Sequence, residues 1–239
     1  MTPPQFLVAQ MPAGEVAVLE GAEGRHAARV RRIGAGEAVL ISDGRGGLAE
    51  CVVESVAGER LTARVRHRRL VPEPDPRVAV VQALPKGDRA ELTVELLTEL
   101  GADAIVPWAS ARSIGQWTGD RAAKALAKWQ RTAAEAAKQS RRAWIPVIAP
   151  LASTADVAAR LERGTGFVLH EAARDRLTDA VLPHRGDIVL VVGPEGGVSD
   201  AELTAFAQAA AVRLGEPVLR TSTAGAAALA ALSVRLGRW

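Results

Sequence analysis

Hydrophobic and polar positions alternate in short runs over the first 70 residues of the chain. Glycine-containing segments such as Asp43-Gly44-Arg45-Gly46-Gly47 separate these runs. Short apolar runs divided by turn residues are typical of antiparallel strands. The pattern therefore predicts a small antiparallel β barrel, with strands at Val16–Leu19, Ala38–Ile41, Glu50–Val56 and Leu61–Val65.

The pattern changes after residues 72–76, where three prolines on alternate positions predict an extended and stiff linker. Beyond it, apolar segments of strand length alternate with longer helical segments, which predicts a parallel sheet flanked by helices. Asp88 with Glu91 and Ser199 with Glu202 are helix-start signals. The predicted strands are Val78–Leu84, Ala104–Val106, Phe167–Leu169 and Ile188–Val192, and the predicted helices are Arg89–Leu100, Arg121–Arg141, Ala201–Ala209 and Ala224–Leu236. We accordingly divide the chain into domains 1–71 and 77–239.

Composition narrows the class of protein. Although 48% of the residues are hydrophobic, no run approaches the ~20 apolar residues of a membrane span, and residues 1–10 do not have the pattern of a secretory signal. Cys51 is the only cysteine, which excludes an intrachain disulfide and a cysteine-based zinc cluster. Because the four histidines are scattered, we expect no metal. The expected location is the cytoplasm.

Positive charge is concentrated in three places. Between Arg112 and Arg142 there are eight Lys or Arg residues but only two acidic ones. On the predicted helix, an apolar face (Ala122, Leu126, Trp129, Ala133 and Ala137) lies opposite a basic arc of Lys124, Lys128, Arg131, Lys138 and Arg142. The other clusters are Arg29, Arg31 and Arg32, and Arg64, Arg66, Arg68 and Arg69. A solvated helix face is the alternative interpretation, but three clusters favour a nucleic-acid partner.

Two segments of the second domain are candidates for ligand chemistry. A predicted buried strand ends in a glycine-rich turn at residues 193–197, immediately before a helix-start signal. Ligands of α/β proteins commonly bind at such turns, and the glycine spacing here does not match the dinucleotide fingerprint of a nicotinamide dehydrogenase. Residues 214–225 form a second turn, which contains Arg220. The planar guanidinium of arginine matches the geometry of carboxylates and phosphates and pairs with them. A tight turn and a structural salt bridge are the alternatives.

These segments, Gly193-Pro194-Glu195-Gly196-Gly197 and Leu219-Arg220-Thr221-Ser222-Thr223-Ala224, resemble the cofactor-loop motifs of the SPOUT methyltransferase superfamily. Three further segments narrow the match to one family: Glu135–Arg142, Ala83–Gly87 and His26–Arg31. Because all five motifs occur in the order found in that family, the chain resembles the RsmE family, the 16S rRNA uracil-1498 N3-methyltransferases. It departs from that family at Ser222, where many relatives carry glutamate, and at Val30-Arg31-Arg32, a loose version of Val-Leu-Arg.

The resemblance implies an architecture and a set of partners. The N-terminal domain is expected to be a PUA-like RNA-binding β barrel, and the C-terminal domain a SPOUT α/β domain with a deep trefoil knot. The implied cofactor is S-adenosylmethionine. The implied partners are 16S rRNA or the small ribosomal subunit and a second copy of the chain in an obligate homodimer, with no membrane and no DNA.

The resemblance also suggests roles for individual residues. Arg220 and Glu195 are the candidate catalytic residues, and Glu195 and His170 are the candidates for the general base, which is not assigned. The expected cofactor-binding residues are Leu169, His170, Gly193, Glu195, Gly197, Leu214, Gly215, Leu219 and Thr223. The expected RNA-binding residues are His26, Arg29, Arg32, Lys86, Lys124, Lys128, Arg131, Lys138, Arg141 and Arg142. The alternatives are a related SPOUT methyltransferase for another RNA and a non-catalytic ribosome-assembly factor.

Overall fold

The computed structural model describes residues 2–87 and 89–239, which fall into two compact units. The first unit consists of the chain up to residue 73 together with residues 137–145, and the second consists of residues 74–136 and 146–239. The predicted helix-start residue Asp88 lies outside the described residues. No helix of the described ranges is long and apolar enough to cross a membrane.

The sheet of the first unit has five strands in the order β1-β3-β4-β5-β2. The four predicted strands are present, and β2 has the predicted bounds. Strand β1 was not predicted, because three residues are too few to show an alternating pattern. It pairs in parallel with β3, so the sheet is mixed and not purely antiparallel. The strands are β1 (Gln5–Leu7), β2 (Val16–Leu19), β3 (Ala38–Ser42), β4 (Gly47–Ala57) and β5 (Arg60–Leu70).

A short helical segment joins β2 to β3. Helix α1 (Gly21–Arg25) continues directly into a π-helical turn at His26–Val30. Gly24 is required where α1 passes the sheet, because a Cβ there would lie 2.1 Å from the carbonyl oxygen of Glu59. The sheet and this segment enclose a core that includes Phe6, Leu19, Ala27, Ile41, Cys51 and Leu61.

Residues 137–145 belong to the first unit, although they fall within the predicted C-terminal domain 77–239. Trp144 Nε1 donates a hydrogen bond to the carbonyl oxygen of Val71 at 3.0 Å. The amide of Gly46 donates to the carbonyl oxygen of Ala143 at 2.9 Å. Their partners are about 70 and about 100 positions away in the chain, so local sequence patterns could not reveal these contacts.

The second unit contains a six-stranded sheet in the order β11-β9-β10-β6-β7-β8, and every pair in it is parallel. The predicted parallel sheet is therefore confirmed. Strands β8 and β11 were not predicted, since both are short edge strands. The strands are β6 (Arg77–Ala83), β7 (Ala104–Trp108), β8 (Val147–Ile148), β9 (Thr165–Leu169), β10 (Asp187–Val192) and β11 (Ala210–Val212).

Helices connect these parallel strands. Helix α4 was not predicted, and α5 is shorter than expected. On α3 the predicted apolar face is buried at Trp129 and Ala133, with Trp129 edge-on to Trp117 at 5.0 Å between ring centroids. The helices are α2 (Arg89–Glu99), α3 (Asp120–Gln139), α4 (Thr154–Leu161), α5 (Asp200–Ala205) and α6 (Thr221–Arg235).

Candidate functional site

A cleft lies at the carboxyl ends of three neighbouring parallel strands. Leu169 ends β9, Gly193 follows β10 and Val212 ends β11. Because parallel strands all end at the same edge of a sheet, the segments that follow them meet there. The cleft has a volume of about 600 Å³, within the range of small-molecule and cofactor sites.

The glycine-rich turn after β10 forms one wall of the cleft. A Cβ at Gly193 would lie 2.7 Å from Val198 Cγ2, so only glycine fits against that side chain. Gly197 has φ +73°, in the left-handed region that glycine adopts without strain, and its amide donates to the carbonyl oxygen of Pro194 at 2.9 Å. The turn therefore exposes main-chain groups with little side chain in front of them.

Residues 213–220 form the opposite wall of the cleft. Arg213 Nη1 pairs with Glu216 Oε1 at 3.2 Å. Arg220 is the N-cap residue of α6, and its carbonyl oxygen accepts hydrogen bonds from the amides of Thr223 and Ala224 at 2.8 Å. The backbone of Arg220 is thus held by the helix, while its exposed side chain lines the cleft.

The structure brings most of the expected cofactor-binding residues together. Both candidate catalytic residues, Arg220 and Glu195, line the cleft and are exposed. Thr223 is not part of the lining: α6 begins at Thr221, earlier than predicted, so Thr223 lies exposed in its first turn. The expected residues that line the cleft are Leu169, His170, Gly193, Glu195, Gly197, Leu214, Gly215 and Leu219.

Other residues of the lining were not found from the sequence. Arg112 comes from the loop between β7 and α3, and its Nη1 donates to the carbonyl oxygen of Gly196 at 3.0 Å. That loop has no apolar periodicity or motif, so the sequence offered no signal for it. Charged residues among those missed are Arg112, Glu171, Asp200, Arg213 and Glu216.

Ser222, the residue that departs from the resembled cofactor-loop motif, is buried beside the cleft wall. Its hydroxyl oxygen accepts a hydrogen bond from Arg89 Nη1 at 3.4 Å. The serine therefore supplies a neutral acceptor to the guanidinium of the exposed Arg89 and is not part of the lining of the cleft.

Most of the expected RNA-binding side chains are exposed. Lys128 pairs with Glu91 at 2.9 Å in the second unit, and Arg29 pairs with Glu59 at 3.3 Å in the first. His26 is half-buried, edge-on to Phe6 with ring centroids 6.0 Å apart. The expected residues that are exposed are Arg29, Arg32, Lys86, Lys124, Lys128, Arg131 and Arg141.

Lys138 is placed differently from the expectation. Its side chain is only 5% exposed, and its Nζ pairs with Glu23 Oε1 at 2.8 Å. It therefore does not belong to an exposed basic face. The helical wheel put Lys138 in the same arc as Lys124 because a wheel records direction around the axis and not which residues pack against each end of the helix.

Arg141 and Arg142 lie just beyond the end of α3. Arg141 has φ +55°, and its Nε donates to the carbonyl oxygen of Pro3 at 3.1 Å. Arg142 is half-buried, and its carbonyl oxygen accepts from Gln5 Nε2 at 2.9 Å. These contacts explain part of why residues 137–145 belong to the first unit.

No group of three or more His, Cys, Asp or Glu side chains in the described ranges could hold a metal ion.

Two family models match the chain. A model of the RNA methyltransferase domain matches residues 72–233, and a model of the RNA methyltransferase PUA domain matches residues 19–66. The first covers more than half of the chain and includes every residue that lines the cleft.

Similar proteins are found along nearly the whole length. The ribosomal RNA small subunit methyltransferase E of Mycobacterium bovis is 48% identical over 98% of this chain and 92% of its own. The protein of the same description from Bacillus subtilis is 30% identical over 90% of this chain and 88% of its own. Among solved structures, ribosomal RNA small subunit methyltransferase E from Neisseria gonorrhoeae, bound to S-adenosyl methionine, superposes with a TM-score of 0.87 at 30% identity over 98% of both chains.

Proposed function

Because the chain belongs to the RsmE family, the ribosomal RNA small subunit methyltransferases E, we propose that it methylates N3 of a uridine in 16S rRNA with S-adenosylmethionine as the methyl donor. The observation that carries the proposal is the 48% identity to a protein of that description over 98% of the chain. The choice of a uridine as the target and of N3 as the methylated atom rests on the family resemblance.

The residues of the cleft fit this cofactor. S-adenosylmethionine supplies an already activated methyl group on a sulfonium, so the chemistry requires no covalent enzyme intermediate. Gly193 and Gly197 leave main-chain groups open to a ligand, and the 214–219 segment faces them. Carboxylates of Glu171, Glu195 and Asp200 in the lining complement the positive charge of such a donor. The neighbour from Neisseria gonorrhoeae, of the same overall shape, is bound to S-adenosyl methionine.

Arg220 is the residue we assign to the uracil. Its guanidinium stays protonated, so it can orient the base and stabilise negative charge that develops on the imide oxygens, but it cannot accept the N3 proton. Glu195 and His170, both in the lining, are the candidates for that proton. Alignment of the nitrogen with the methyl group is the main contribution expected of the protein.

The RNA would be held by the exposed basic residues of both units. The match of residues 19–66 to an RNA methyltransferase PUA domain supports an RNA-binding role for the first unit. We also propose that the first unit contains a closed barrel and the second a deep trefoil knot. The proposed domains are 1–71 and 77–239, joined by the linker 72–76. The proposed location is the cytoplasm, where small ribosomal subunits are assembled.

A homodimer is also part of the proposal. Apolar side chains of the second unit are left exposed at Val181, Val218 and Val234. Val218 lines the cleft, so a partner that covered Val218 would lie next to the site.

Methyl transfer from tritiated S-adenosylmethionine to small ribosomal subunits that lack their native uridine methylation tests the activity. We expect transfer by the wild-type protein and a loss of at least about 100-fold in Arg220→Ala, since one charged group that stabilises developing charge is commonly worth that much. Arg163→Ala, an exposed arginine of the same unit outside the cleft, is the control and should keep full activity.

The alternatives give other results. Transfer to another RNA in preference to the small subunit would assign the chain to a related methyltransferase. Tight binding to the subunit with no transfer would indicate a non-catalytic assembly factor.

A further inference from the structure

The loop between β7 and α3 contacts the glycine-rich turn of the cleft through Arg112. Besides the hydrogen bond from Arg112 Nη1 to the carbonyl oxygen of Gly196, the Arg112 Cβ is so close that a Cβ at Gly196 would lie 3.0 Å from it. Gly196 does not have a positive φ, in contrast to Gly197. Its own backbone would therefore accept a side chain, and it is the close packing of Arg112 that favours glycine at this position.

A buried carboxylate fixes the backbone next to Arg112. The amide of Ala111 donates to Glu202 Oε1 at 2.7 Å. The other oxygen of Glu202 accepts from the amide of Ser199 at 2.8 Å and from the Ser199 hydroxyl at 2.7 Å. Glu202 is only 3% exposed. Three donors on one buried carboxylate make strong hydrogen bonds, so Glu202 ties the end of the glycine-rich turn to the loop that carries Arg112.

We propose that Arg112 is a positioning residue of the cleft, which holds the turn at Gly196 and Gly197 in the shape that receives the methyl donor, and that Glu202 anchors it. The proposal rests on the proposed function for the identity of the ligand. Arg112 lines the cleft directly, and its Nη1 lies 3.9 Å from where a Cβ of Gly197 would be. The arginine thus acts on the wall of the cleft through the turn.

The role is specific to the donor side of the reaction. Arg112 holds the turn after β10, whereas Arg220, which we assign to the uracil, lies on the opposite wall after β11. Loss of the Arg112 contact should therefore weaken binding of the donor and leave the affinity for RNA unchanged.

Calorimetric titration with S-adenosylmethionine, and separately with S-adenosylhomocysteine, tests this without a turnover measurement. We expect Arg112→Ala to weaken binding of both about tenfold, the size of one charge-assisted hydrogen bond. In the methylation assay the KM for S-adenosylmethionine should rise by the same factor. The KM for RNA and the kcat at saturating donor should change less than about twofold. Arg112→Lys, which keeps one donor, should restore part of the affinity, and Arg163→Ala should bind normally.

A double-mutant cycle tests the anchor. If Glu202 acts through Arg112, Glu202→Gln should weaken donor binding in the wild-type background and have much less effect when Arg112 is already alanine.

Wild-type affinity in Arg112→Ala would overturn the proposal, as would a rise in the KM for RNA alone. In both cases the wild-type protein binds the donor, so the proposed function stands. Failure of the wild-type protein to bind the donor would overturn the proposed function and this proposal together.

Discussion

At the scale of single residues, Cys51 shows how burial sets chemistry. The side chain is 1% exposed in the core of the first unit, and burial raises the pKa of its thiol from 9.0 to about 11, with a smaller opposing effect of the Arg68 charge. The thiolate is the reactive form, so a buried thiol with a raised pKa is inert. A single cysteine excludes an intrachain disulfide from the sequence alone, but the burial of its thiol is visible only in the structure.

We predict that Cys51 reacts slowly with iodoacetamide in the folded protein at pH 8. A two-unit difference in pKa lowers the thiolate fraction about 100-fold relative to an unfolded thiol, and burial slows access further. Alkylation followed by intact-protein mass spectrometry, with and without denaturant, measures the ratio. Since Cys51 is the only cysteine, the total label is its label. Equal rates in the two conditions would contradict the buried environment.

The same pKa shift affects stability. The thiol ionises more easily in the unfolded chain than in the folded protein. Its contribution to the free energy of unfolding is therefore fully present below pH 9 and is lost as the pH rises towards 11.

Sequence motifs pointed to two segments that line the cleft. The glycine-rich turn and the Arg220 segment were found from the sequence, and the structure brings them to one cleft. The cleft residue Arg112 and the contact of Glu202 with the neighbouring loop were not found, because both depend on contacts about 90 positions apart in the chain. Such contacts leave no periodic trace in one sequence.

At the scale of elements, helix α3 illustrates what a helical wheel can and cannot predict. Its bounds and its apolar face followed from the period of hydrophobic residues, and Trp129 and Ala133 are buried as expected. The predicted basic arc is not exposed along the whole helix, because Lys138 pairs with Glu23 and is buried. The short strands β1, β8 and β11 were missed for another reason: two or three residues cannot display a period.

We predict that the two kinds of lysine on α3 separate in experiment. Lys138→Met should destabilise the protein by about 3 kcal/mol, since it removes the cation that pairs with the mostly buried Glu23 carboxylate, to which the Leu7 amide still donates. Lys124→Gln and Arg131→Gln, at exposed positions, should change stability by less than about 0.5 kcal/mol. Each of these two substitutions should, however, weaken RNA binding and reduce the slope of log K against log salt concentration by about 0.7–0.9.

Thermal unfolding and binding of a 16S rRNA fragment at several salt concentrations measure both effects. Normal stability with weakened RNA binding in Lys138→Met would show that this lysine reaches the RNA after all.

At the scale of the whole molecule, alternation of strand and helix patterns predicted the parallel sheet, and a parallel sheet gathers its loops at one edge. That rule explains why the segments around residues 170, 195 and 215, which the family resemblance grouped as cofactor-binding, meet at one edge. At this scale, the grouping of residues 137–145 with the first compact unit was not predicted. Composition changes at the Pro-rich segment 72–76, but nothing in the composition marks a later segment that returns to the first unit.

The identity of the methylated nucleoside tests the central claim most directly. Small ribosomal subunits that lack the native modification would be treated with the protein and S-adenosylmethionine, and their 16S rRNA digested to nucleosides for chromatography and mass spectrometry. Our account predicts one new nucleoside, 3-methyluridine, in stoichiometric amount. A uridine methylated on its ribose or at C5, or a methylated base other than uracil, would contradict it.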